Sequence, residues 1–129
     1  MHQLRFSKLW LALGGVLIVV VVSLSLWPEP PQLLDFQQSD KFAHVIAYMI
    51  LMLWFANIYS LTSYRLSLGM GFLAMGACVE LLQGESGYRV FSYADILANG
   101  FGILVALCLA RTRFANILMR FDTWLRSLG

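Results

Sequence analysis

The stretch Leu9–Trp27, LWLALGGVLIVVVVSLSLW, is an unbroken apolar run of nineteen residues. As a helix rising about 1.5 Å per residue it reaches about 28 Å, close to the hydrocarbon thickness of a bilayer. The charged start, Arg5 and Lys8, also fits a secretory signal. However, the run is long and no A-x-A cleavage pattern follows it. It reads as a retained first transmembrane helix, ended by Pro28.

The rest of the chain extends that reading. Of 129 residues, 60% are hydrophobic and 12% charged, against about a quarter charged in a soluble domain. The length suits one domain, residues 1–129. A net charge of +2 is too small to argue for nucleic acid, and no basic patch with interleaved aromatics exists. Cys78 and Cys108 both fall in apolar segments, without CxxC or Cys/His zinc spacing. They are expected to be inert lipid-facing or packing residues, without a disulfide between them.

The segment Pro28–Ser39 (PEPPQLLDFQQS) is acidic and opens on Pro28, Pro30 and Pro31, so it should run extended. Ser39 or Asp40 is a good N-cap for the next helix. That helix ends near Tyr59, where Trp54 and Tyr59 supply interfacial aromatics. The third apolar run carries Gly69, Gly71 and Gly76 with Ala74 and Ala77. Small residues allow close helix approach, so this helix is expected to be central. A loop, Gly84–Phe91, precedes the fourth run, where Gly100 and Gly102 supply a close-packing face. In the tail, Phe114, Ile117, Leu118, Phe121, Trp124, Leu125 and Leu128 form one stripe, with arginines off it. This pattern predicts an amphipathic helix lying in the membrane surface, in preference to a helix packed on the bundle. The predicted fold is therefore an all-α membrane protein. It has four transmembrane helices at about 9–27, 40–59, 66–82 and 92–110, plus a C-terminal amphipathic surface helix at about 112–128.

Charge orients the chain. Arg5 and Lys8, Arg65, and the tail arginines mark cytoplasmic segments, whereas Glu29 and Asp35 mark an external one. Both termini should be cytoplasmic and the 28–39 and 84–91 loops external. Asp40, Lys41 and His44, Glu80 and Gln83, and Asp95 and Asn99 then all fall at the outer ends of their helices. At about 100° per residue, Asp40, Lys41, His44 and Tyr48 fall within about 100° of arc, and so do Gly76, Glu80 and Gln83. Ser92, Asp95, Asn99 and Gly102 share about 80°. Ionisable groups inside apolar helices are costly and should face one another rather than lipid.

These residues carry a family resemblance. Asp40-Lys41-x-x-His44-x-x-x-Tyr48, Glu80-x-x-Gln83 and Arg89-x-x-Ser92-x-x-Asp95-x-x-x-Asn99-x-x-Gly102 are spaced as in the VanZ-like family of small bacterial membrane proteins. The resemblance covers roughly residues 40 to 104; the first helix and basic tail match only in kind. It implies a cell-envelope role in the bacterial inner membrane, linked to tolerance of teicoplanin-type glycopeptides, and no known reaction.

Three readings of the outer site follow. The first is binding of an anionic lipid or a polyprenyl-linked envelope precursor by Asp40, Lys41, His44, Tyr48, Glu80, Gln83, Arg89, Ser92, Asp95 and Asn99. Two helix N-termini and the cations would meet the phosphate. The second is catalysis, with His44, Glu80 and Asp95 as candidates for acid–base work, or His44 with two carboxylates around a divalent metal. No HExxH or nucleophile-elbow motif supports it, and no resident metal or cofactor is expected. The third is a purely structural polar network that fixes helix register. Gly102 reads as a packing position, and Glu85 as a solvated loop charge.

Overall fold

In the computed structural model, which describes residues 4–27, 39–85, 87 and 91–129, the apolar runs are helices. Helix α1 covers Ser7–Leu26, α2 Ser39–Ile58, α3 Thr62–Glu85 and α4 Tyr93–Leu109. A 3-10 turn, Arg113–Asn116, leads into α5, Ile117–Ser127. No strand occurs among the described residues. The third helix departs most from the expected 66–82. It starts at Thr62 and takes in Glu85, which is therefore a helical residue and not a loop charge. Hydropathy marks the part of a helix that suits lipid, whereas backbone hydrogen bonding continues into polar residues at either end. At 24 residues, α3 is about 36 Å long, more than a hydrocarbon core of about 30 Å.

By length and composition α1, Lys41–Ile58 of α2 and α3 can each cross a membrane. Helix α4, with 17 residues, is shorter. It adds a fourth candidate span only together with the segment beyond an 82° bend. The chain is thus all-helical with 3 to 4 candidate spans.

The centre of the bundle is α2, which touches α1, α3, α4 and α5. This corrects the expectation that the glycine-rich third helix is central. Gly69 packs on Ile103 and Leu107, and Gly76 on Asn99 and Tyr48, but Gly71 looks onto open space. The closest helix pair is α2 with α4. A methyl group at Gly102 would stand 2.3 Å from the Val45 carbonyl oxygen, so only glycine lets the backbones meet there. Gly102 is a packing position, as its sequence context indicated.

The tail also differs from expectation. Helix α5 does pack on the bundle, burying Leu118 and Asp122. The Asp122 carboxylate accepts the backbone N–H groups of Arg5 (3.1 Å) and Phe6 (3.1 Å) and the Trp10 indole N–H (2.9 Å). Arg126 pairs with it at 3.1 Å. The start of α5 is held by Asn57, whose Oδ1 accepts the Leu118 N–H at 3.2 Å. The arginines therefore did not exclude packing, because Asp122 supplies an inward partner. Phe114, Ile117, Phe121, Trp124 and Leu128 nevertheless remain exposed.

Arg65 closes the same end of the bundle. Its guanidinium donates to the carbonyls of Ala56 (2.7 Å) and Tyr59 (2.8 Å) at the end of α2, and of Ala110 (3.2 Å) after α4. These are orphan acceptors at helix C-termini, where a cation is also favoured by the helix dipole. With this end tied by Arg65 and Asp122, the starts of α2 and α4 and the end of α3 gather at the opposite end.

Candidate functional site

The polar end is built by α2, α3 and α4. His44 Nδ1 lies 2.9 Å from Asn99 Oδ1. His44 Nε2 lies 3.9 Å from Asp95 Oδ2, with side chains 10% and 11% exposed respectively. One turn deeper on α2, Tyr48 is buried. Its hydroxyl and the Asn99 amide nitrogen both border Gly76, 3.0 and 2.6 Å from where a β-carbon would stand. The bare backbone of α3 at Gly76 therefore makes room for both side chains. Glu80, 1% exposed, lies within electrostatic reach of Tyr48. Its Oε1 accepts the Ser92 N–H at 2.7 Å.

The Glu80 contact changes one expectation. Ser92 is the N-cap of α4, and Asp95 stands in the first turn. Carboxylates thus already meet the positive end of α4, so that terminus is not an open cradle for phosphate. Ser92 contributes through its backbone, and its side chain makes no capping hydrogen bond.

Six of the ten expected ligand-binding residues thus come together at this end: His44, Tyr48, Glu80, Ser92, Asp95 and Asn99. Lys41 is exposed on α2, one turn before His44. Gln83 turns elsewhere: its amide donates to the Ser25 carbonyl and ties α3 to the end of α1. The Asp40 side chain and Arg89 lie outside the described residues. Among the described residues, no three His, Cys, Asp or Glu side chains are arranged to hold a metal ion, so His44 with two carboxylates does not form a metal centre there. Cys78 and Cys108 are exposed free thiols.

Three polar residues that matter to the architecture were not recognised from sequence. Arg65 figures in the sequence analysis only as an orienting charge, and Asp122 and Asn57 not at all. The available signal was the same one that found His44 and Asn99: a polar side chain beside an apolar helical face.

No protein-family model matches the chain, and neither a curated protein nor a solved structure does.

Proposed function

We propose that the chain is a VanZ-like integral membrane protein of the bacterial inner membrane whose polar end binds a lipid head group. The ligand class is an anionic lipid or a polyprenyl-linked envelope precursor. The observation that carries this reading is the meeting of buried polar side chains from α2, α3 and α4, with the His44–Asp95 pair at the margin between interior and surface. Ionisable groups gathered inside an apolar bundle are a functional-site signal. Lys41, exposed one turn away, supplies the charge for a phosphate. The VanZ-like assignment and the role in glycopeptide tolerance rest on motif spacing.

The proposed topology has four spans, α4 being the short fourth, with both termini cytoplasmic and the polar end external. The positive-inside pattern supports it. The exposed aromatic and aliphatic row of α5, flanked by Arg113 and Arg120, suits the cytoplasmic lipid surface.

A second reading is favoured by one contact. The His44–Asn99 hydrogen bond orients an imidazole whose other nitrogen faces Asp95, the layout of a positioned general base. In that reading the protein is an acid–base enzyme acting on an envelope lipid.

Native mass spectrometry of the detergent-purified protein tests the primary reading. Binding predicts a retained anionic lipid whose occupancy falls at least roughly fivefold on Lys41→Ala, as expected for losing one charged contact. Absence of any retained lipid, from native membranes or after adding phospholipids and envelope precursors, contradicts it. Hydrolysis of an added lipid that stops on His44→Gln would instead favour the enzyme.

A further inference from the structure

We infer that the His44–Asp95 pair of this site takes a hydrogen-bond donor, so that the preferred ligand is a phosphate-bearing head group with a hydroxyl or ammonium beyond the phosphate. The inference rests on the head-group reading above and adds the chemistry the head group must have.

The Asn99 amide fixes the polarity of the site. Its nitrogen points at Gly76 and its oxygen at His44. A carbonyl oxygen only accepts, so His44 Nδ1 carries the hydrogen in this pair. In a neutral imidazole the other nitrogen, Nε2, is then an acceptor. It faces Asp95 Oδ2 at 3.9 Å, beyond hydrogen-bonding distance, and an ionised carboxylate also only accepts. With a neutral imidazole and an ionised carboxylate, two acceptors stand side by side, both about nine-tenths buried.

Among the described residues, the neighbours do not supply the missing hydrogen. Glu80 holds the Ser92 N–H. The Asn99 amide nitrogen and Tyr48 hydroxyl lie deeper, against Gly76. Lys41 is exposed at the surface. Buried acceptors without donors are unfavourable, so an incoming donor is selected there. A glycerol or sugar hydroxyl fits, and so does an ethanolamine ammonium. A choline group, whose nitrogen bears no hydrogen, does not.

The test compares matched lipids on the full-length protein by native mass spectrometry. Phosphatidylglycerol and phosphatidylmethanol are both monoanionic diesters, but only the first has hydroxyls. Phosphatidylethanolamine and phosphatidylcholine are both zwitterionic, but only the first has N–H groups. The expected result is a preference of roughly tenfold for the donor-bearing member of at least one pair, the size of one hydrogen bond to a charged group. A preference in the first pair identifies a hydroxyl, and one in the second identifies an ammonium. Equal retention within both pairs overturns the donor assignment while leaving head-group binding intact. Retention of none of the four lipids overturns the donor assignment, and head-group binding falls with it if envelope precursors are not retained either. Asp95→Asn, which offers an N–H of its own, should reduce the preference to below about threefold. An undiminished preference would remove Asp95 from the assignment, and if that variant does not fold, the native lipid series still decides.

Discussion

At the scale of single residues, Glu80 has two separable tasks. As an acceptor it holds the Ser92 N–H at the start of α4, and as a carboxylate it stands within electrostatic reach of Tyr48. Glutamine keeps the acceptor and removes the charge. Glu80→Gln should therefore melt close to the native protein yet lose function in an envelope-antibiotic sensitivity assay. Glu80→Leu, which leaves the Ser92 N–H unsatisfied, should be destabilised by roughly 1–3 kcal/mol. Full activity of folded Glu80→Gln would assign Glu80 to structure alone. The gathering of His44 and Asn99 at one end was legible because each interrupts the apolar surface of its own helix within a narrow polar arc. The turn of Gln83 toward Ser25 was not, because its arc also carries it past α1 and sequence spacing does not rank neighbours.

At the scale of elements, the chain is held at one end by polar caps and at the other by the candidate site. Asp122 bridges α5 to the start of α1. Burial alone would raise its pKa. The Trp10, Phe6 and Arg5 N–H groups, with Arg126, outweigh that effect and hold the carboxyl below its ordinary value. A depressed carboxyl contributes stability above its unfolded pKa of about 4, and the contribution is lost as pH falls through the lower folded value. Amides in Ile117–Ser127 should thus stay protected from hydrogen exchange at pH 5 to 8. Asp122→Asn should expose them at neutral pH, while α2 and α4 remain protected. Unchanged protection in that variant would show that Leu118 packing alone holds α5. The apolar runs revealed α1 to α4 because lipid-compatible length is written in composition. The dominance of α2 was hidden, because Gly102 against Val45 is a contact between two elements and neither run discloses it alone.

At the scale of the whole molecule, the antiparallel bundle separates a capped end, with Arg65 and Asp122, from a polar end, with His44, Glu80 and Asp95. The proposed topology, argued from the positive-inside pattern, puts the polar end outside. Convergence and sidedness can be read together from cross-linking. His44→Cys and Asp95→Cys would be introduced after replacing Cys78 and Cys108 by serine, and intact cells treated with a short, membrane-impermeant thiol cross-linker. The account predicts an intramolecular cross-link in intact cells that is missing from either single-cysteine protein. No cross-link, even in permeabilised cells, would contradict the meeting of α2 and α4 at one site, and a cross-link formed only after permeabilisation would contradict its external placement.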